Sequence, residues 1–303
     1  MAAFPQLVGI EHRMVRLAAL RMHVAEAGQG EPVLLLHGFP QTWWEWREII
    51  PGLATTHRVI CPDLRGAGAT DAPADGYVHP EQDLLDLLDA LGIEKAHVVA
   101  HDWAAMAGYE LCLRHPERVL SFVSLAVPHP WMRFSPKLLT VMWRLWFQYA
   151  IATPGLGPWL LRRGGLVRYL FRAYAAQPIE RSDVDLFAAQ FREPQRARAG
   201  SVLYRRFIIP GAMRIARGAY RGVRLRTPTR LLYGAADPAL RAEFLGGSAE
   251  HADDLTVVRI ENAAHFLADE QPAAVLAEIR RALAAAPPRP PAAPPRGAAS
   301  PTG

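Results

Sequence analysis

The chain has 303 residues, half of them hydrophobic, enough to bury a large core as one domain or as a domain with an insertion. Cys61 and Cys112 are the only cysteines, which excludes a disulfide framework or a zinc-binding spacing and suits the reducing cytoplasm, the expected location. Neither an export signal nor a membrane span is expected: Glu11, His12 and Arg13 fall where a signal peptide needs apolar residues, and Arg144 and Gln148 interrupt the longest apolar candidate, Leu138 to Thr153.

In chain order, Val15 to Glu26 reads as two strands closed by the turn Ala27-Gly28-Gln29-Gly30. The continuous apolar run Pro32 to Leu36 reads as a buried strand. It ends at His37-Gly38-Phe39-Pro40-Gln41, after which Thr42 can cap a helix carrying Trp43, Trp44, Trp46, Ile49 and Ile50. Gly38 is expected there to let the chain turn beside Phe39. Arg58 to Cys61 is the next strand, running into Pro62-Asp63-Leu64-Arg65-Gly66-Ala67-Gly68, whose glycines permit the φ values of a tight turn. Asp63 and Arg65 read as an ion pair or as turn bonds. Leu84 to Leu91 has one apolar helical face, and Gly92 stands where a C-terminal cap belongs.

Val98 to Ala100 reads as a buried parallel strand, and Ala105, Met106, Tyr109, Leu111 and Cys112 carry the spacing of a helix with one buried face. Almost no loop separates them, so the chain must turn abruptly at Asp102, flanked by the small Ala100 and Ala104. This small-x-nucleophile-x-small pattern is that of a nucleophile elbow with Asp in place of Ser. The competing reading makes Asp102 only a helix N-cap. Val119 to Leu125 follows as a strand.

From His129 to Arg224 only helical periodicities remain, rich in Trp, Phe, Leu and Arg. Seventeen Lys and Arg stand there against Glu180, Asp183, Asp185 and Glu193, a net charge of +13 in a chain of net +5. Nucleic acid, anionic lipid or an anionic substrate could match that charge; a solvated outer face is the simpler reading, and no nucleic-acid-binding signature accompanies it. The aromatic stripe of Trp143, Trp146, Phe147 and Trp159 reads as core before pocket. Alternation then resumes: strand Thr229 to Tyr233, helix Leu240 to Ala249, strand Leu255 to Ile260, helix Val275 to Ala286. The expected fold is α/β: a mostly parallel sheet with helices on both faces and a helical cap inserted after the sixth strand. The expected divisions are 1–128 and 225–286 for the core, 129–224 for the cap, and 287–303 for a disordered Pro/Ala-rich tail.

Asp102, Asp237 and His265 each follow a strand, in the order nucleophile, acid, base. Attack by Asp102 on carbon gives an ester, His265 can activate the water that hydrolyses it, and Asp237 can orient the imidazole. Backbone N–H groups of Phe39 and Trp103 are the expected oxyanion hole. Asp237, before Pro238, could instead be a turn residue, and His265 a core histidine. His37 and His101 read as structural.

The motifs His37-Gly38-Phe39-Pro40-Gln41, Asp63-Leu64-Arg65-Gly66, His101-Asp102-Trp103, Tyr233 to Asp237 and Ala264-His265-Phe266 resemble those of the α/β-hydrolase-fold epoxide hydrolases. The resemblance runs from about Val15 to Ala285. It implies an Asp102 ester mechanism without metal or organic cofactor, acting on a small apolar epoxide and water, and is compatible with a homodimer. It also implies two cap tyrosines that protonate the opening epoxide: Tyr204 matches one, while Phe147, in Trp146-Phe147-Gln148, stands in place of the other. Ala104 stands where the family usually has Gly. The substrate pocket is expected from Phe39, Trp103, Trp146, Phe147, Tyr149 and Phe266. Two alternatives share this framework, a haloalkane dehalogenase using the same Asp and a ligand-binding relative without turnover.

Overall fold

The structure is a computed structural model and describes residues 5–72, 80–132 and 141–285. The expected tail at 287–303 lies outside them. Eight strands form one sheet in the order β1-β2-β4-β3-β5-β6-β7-β8. β1 (Glu11–Arg16) and β2 (Arg21–Ala27) form an antiparallel hairpin, and β2 runs antiparallel to β4 (His57–Pro62). The remainder is parallel: β3 (Glu31–Leu36), β5 (Ala96–His101), β6 (Val119–Leu125), β7 (Thr229–Gly234) and β8 (Leu255–Ile260). Every residue of β5 is buried, and β3 and β6 have one partly exposed residue each, as expected of strands covered on both faces.

The chain leaves β3 for β4 on one side, then returns to place β5 on the other. The sheet therefore reverses direction between β3 and β5, and a crevice opens beyond their carboxyl ends. His37–Gln41 continues β3 and Asp102 continues β5, so the two are neighbours across that crevice. Helix α3 (Trp103–Arg114) runs back over the sheet and lies close to β6, because a Cβ on Gly108 would stand 2.5 Å from the Phe122 ring. Helices α1 (Ile50–Ala54), α2 (Pro80–Ala90), α10 (Leu267–Glu270) and α11 (Pro272–Ala285) complete the layers.

Between β6 and β7 the described residues contain no strand. The helices there are α4 (Trp146–Ala152), α5 (Leu156–Arg163), α6 (Gly165–Tyr174), α7 (Arg181–Ala189), α8 (Pro194–Leu203) and α9 (Ile209–Ala216). Polar bonds fasten this segment to the loops at the sheet edge. Gln190 donates to the Pro40 carbonyl (2.7 Å) and accepts from the Gly68 N–H (3.0 Å). Asp183 accepts from Trp44 Nε1 (2.7 Å) and pairs with Arg47 (2.7 Å).

Local expectations differ at four places. The helix over Trp43 to Ile50 is a 3-10 turn, Trp43–Trp46, followed by α1, where Pro51 occupies the first turn. The helix expected over Leu240 to Ala249 shrinks to a 3-10 turn at Ala242–Phe244, because Gly246 and Gly247 follow and Gly247 takes φ +89°. Of the two readings of Asp63 and Arg65, the mutual ion pair fails and turn bonds hold: Asp63 accepts from Ala69 N–H within the turn, from Trp43 N–H, and pairs with His23 (2.8 Å), while Arg65 grips Asp83. Gly38 begins a turn, its carbonyl accepting from the Gln41 N–H (3.0 Å), but it is not in the left-handed region, so the turn does not call on glycine's conformational freedom.

Candidate active site

Asp102 adopts φ +51°, ψ −133°, a conformation that costs a non-glycine residue on the order of 1–3 kcal/mol unless its surroundings impose it. Here they do. Its N–H donates to the Leu125 carbonyl (3.1 Å) and its carbonyl accepts from Ala105 (2.9 Å), which pins the turn between β6 and α3. The side chain makes no capping bond to α3, so Asp102 is not an N-cap by side chain. It reaches across to the β3 loop instead. The N–H of Phe39 donates to Oδ2 at 3.0 Å. Gly38 makes this approach fit: a Cβ there would lie 2.7 Å from Asp102 Cβ and 2.8 Å from His101 Nδ1.

His265 Nε2 stands 3.7 Å from the other oxygen, Oδ1, and its Nδ1 stands 3.5 Å from Asp237 Oδ2. These separations exceed normal hydrogen bonds, and catalytic bonds in ligand-free enzymes commonly are long. Asp237 divides its two oxygens between jobs. Oδ1 accepts the N–H groups of Ala239 (2.7 Å) and Leu240 (2.9 Å), closing the turn after β7. Oδ2 is buried, has no hydrogen-bond partner, and faces the imidazole. Turn residue and imidazole partner are thus not competing readings of Asp237.

The His265 loop is held from two sides. Glu270 accepts from the N–H groups of Ala264 (3.1 Å) and Phe266 (3.0 Å), and also from Ala176 and Gln177 of the helical segment. The His265 N–H donates to the Tyr174 carbonyl at 2.9 Å. Beneath lies His101, whose Nε2 donates to the His265 carbonyl (2.8 Å) and whose Nδ1 pairs with buried Glu45 (2.9 Å). Burial pulls the His101 pKa down, but Glu45, Asp102 and that carbonyl outweigh it, and it is pushed up to about 9. His37 is locked as well: Nε2 accepts from Leu64 N–H, so Nδ1 carries the proton donated to the Gly38 carbonyl.

A cavity of about 330 Å³ opens above Asp102. Phe39, Trp103, Phe147, Tyr149, Phe266, Tyr204 and His265 line it, together with a largely apolar wall that includes Met106, Leu170, Ile208 and Ile209. Trp146 does not line it. Its neighbour Phe147 turns inward, and Trp146 lies on the other side of α4 against Tyr169, 45 % exposed. Trp143 (64 %) and Trp159 (51 %) are exposed too, so of the aromatic stripe only Phe147 is buried.

Tyr204 opens a π-helical turn, Tyr204–Ile208, between α8 and α9; such widened turns recur at functional positions. Its ring meets Phe39 edge-on at 5.0 Å and Phe147 at 6.2 Å. Burial first, then the Asp102 charge, pushes its phenol well above the ordinary value, so it holds its proton. Tyr174, which the sequence pattern does not single out, also lines the cavity, 5.3 Å from Phe147 ring to ring. Its hydroxyl donates to the Arg144 carbonyl. Among the described residues no cluster of His, Cys, Asp or Glu is arranged to hold a metal ion.

The model of the alpha/beta hydrolase fold matches residues 31–272. The chain belongs to the α/β-hydrolase fold family. Within it, epoxide hydrolase 2 of Siraitia grosvenorii is 30 % identical over 311 residues, covering 88 % of this chain and 96 % of that protein. A mutant form of the Vigna radiata epoxide hydrolase superposes with a TM-score of 0.76 at 26 % identity, covering 92 % of this chain and 99 % of that one. The Cfl2 protein of Burkholderia cenocepacia gives a TM-score of 0.79 at 27 % identity, over 92 % and 97 %. The chain is a hydrolase of the epoxide-hydrolase type. Among the described residues no helix is long and apolar enough to cross a membrane.

Proposed function

We propose that the protein hydrolyses an apolar epoxide to a vicinal diol through an ester on Asp102. The observation that carries this reading is the division of the Asp102 carboxylate, in a residue that lines the cavity: Oδ2 is held by Phe39, while Oδ1 is left towards His265. Oδ1 attacks an epoxide carbon, the ring C–O bond breaks, and the departing oxygen takes the Tyr204 proton. In the second step His265 removes a proton from water, which attacks Cγ of the ester. Negative charge then moves onto Oδ2, where the Phe39 N–H already points, with the Trp103 N–H as the second donor this reading requires. Asp237 supports the imidazolium that forms; on collapse the Cγ–Oδ1 bond breaks, the imidazolium gives its proton to Oδ1 as the diol leaves, and the proton of the new Asp102 carboxyl group returns to the Tyr204 phenolate. The segment between β6 and β7 serves as the cap that excludes bulk water.

A dehalogenase would use the same Asp102 and the same Trp103. Tyr204 favours the epoxide reading, because a halide leaves as a stable anion and needs no proton. A panel of epoxides and haloalkanes, assayed for diol and for free halide, tests the choice. Diol from aryl or alkyl epoxides without halide release is expected; halide release without diol overturns the proposal.

A further inference from the structure

Trp143, Trp146 and Tyr149 point outward from the helical segment, 64 %, 45 % and 59 % exposed. Their three-residue spacing through the 3-10 turn Trp143–Leu145 and into α4 sets them along one side. Tyr149 also lines the cavity, as do Met142 and Met213, which are 38 % and 46 % exposed. The cavity therefore opens past Met142, Tyr149 and Met213, and the exposed indoles of Trp143 and Trp146 stand on the same stretch of chain without lining it. An exposed apolar rim of this kind marks an interaction surface rather than an idle face.

Cations are set into it. The Arg144 guanidinium lies 4.8 Å from the Trp143 ring. Trp146 rests on Tyr169, and one turn further along α6 is exposed Arg172. The surrounding segment, residues 129–224, carries +13. A second copy presenting the same face would meet like charge, which disfavours self-association there. Thioethers and a phenol at the mouth of an apolar cavity, with two exposed indoles on the same stretch of chain, favour lipid over nucleic acid. Indole rings settle at the headgroup level of a bilayer, and arginine stems lie along apolar surface with their charge in the headgroups.

We propose that this rim docks the protein reversibly on an anionic lipid surface, with the cavity mouth facing the bilayer. Docking itself does not depend on the enzymatic reading; only the passage of an apolar epoxide from membrane to cavity rests on it. Both charge and apolar insertion contribute, so binding requires anionic lipid and weakens with salt.

Co-sedimentation of the full chain with equimolar phosphatidylglycerol–phosphatidylcholine vesicles, against pure phosphatidylcholine vesicles, reads docking without turnover. Binding to the anionic vesicles is expected, at least about tenfold weaker on neutral vesicles or in high salt. The Trp143→Ser, Trp146→Ser double variant should bind about tenfold more weakly. It should hydrolyse a small water-soluble epoxide as before, since neither residue lines the cavity. Arg172→Glu, on the solvent side of α6, carries the same test if the double variant does not fold. No binding by the wild type, or equal binding by wild type and both variants, overturns the proposal. So does salt-sensitive binding to a single-stranded RNA oligomer without vesicle binding, or self-association lost in the double variant. Absence of any hydrolysis with vesicle binding intact would strike the enzymatic reading and leave docking standing.

Discussion

Asp237 presents a buried, unbonded Oδ2 to Nδ1 of His265 at 3.5 Å, while its Oδ1 closes the turn after β7. The turn fixes the carboxylate, and the free oxygen is left for the imidazole. Asp237→Asn can keep the turn through its amide oxygen but then presents an NH₂ group to Nδ1. The imidazole would be held in the wrong tautomer for taking a proton from water, and ester hydrolysis should slow by roughly 10³–10⁴. Single-turnover kinetics should show a normal burst of ester followed by slow decay. Unchanged steady-state turnover would remove Asp237 from the mechanism.

Tyr204 and Asp102 line the same cavity, and Phe147 beside Tyr204 brings no second hydroxyl to it. A hydrogen bond to a developing charge contributes about 1.5–3 kcal/mol, so Tyr204→Phe should slow ring opening by at least about ten- to a hundredfold. Tyr174→Phe should change it less than Tyr204→Phe, because the Tyr174 hydroxyl already donates to the Arg144 carbonyl. Phe147→Tyr, its ring in the cavity, should accelerate it. Rapid-quench measurement of ester formation separates the three. A Tyr174 effect larger than that of Tyr204 would transfer the acid role to Tyr174.

Gly38 leaves no room for a side chain. A methyl at Gly38→Ala would press on Asp102 Cβ and His101 Nδ1, and the shift it forces should cost about 1–3 kcal/mol of stability. Activity should fall further than that loss accounts for, because the Phe39 N–H moves off Oδ2. Thermal unfolding and turnover on the same preparation check both. A variant of wild-type activity would mean that the close approach is not needed.

Much of this arrangement is legible in the sequence. Continuous apolar runs such as Val33 to Leu36 specify covered strands, and the small residues around Asp102 specify an abrupt turn, so the parallel sheet follows from local pattern. Direction is harder to read. Phe147 and Trp146 are equally apolar neighbours, yet one enters the cavity and the other leaves it, because only packing against Tyr174 and Tyr169 distinguishes them. Tyr174 and Glu270 act partly through backbone groups, which leave no trace in residue type. The Glu45–His101 pair joins residues far apart in the chain, and a lone carboxylate among three tryptophans is the only mark it leaves in the sequence.

The His101 proton has a consequence for stability. Its pKa in the fold is about 9 against an ordinary 6.5, raised rather than lowered. Its contribution is therefore fully present below pH 6.5 and is lost as pH rises through about 9. Tm should fall across that window. Glu45→Gln, which removes the carboxylate holding the proton, should lower Tm at neutral pH and flatten the slope. A wild-type Tm that rises over the same interval would contradict the assignment.

The central claim is that Asp102, not water, attacks the substrate. A single turnover with excess enzyme in heavy-oxygen water, followed by mass analysis of the diol and of the peptide containing Asp102, tests it most directly. Attack by Oδ1 and hydrolysis at Cγ require an unlabelled first diol and one heavy oxygen retained in the Asp102 carboxylate. Label in the first diol with Asp102 unlabelled would show direct attack by water and contradict the account.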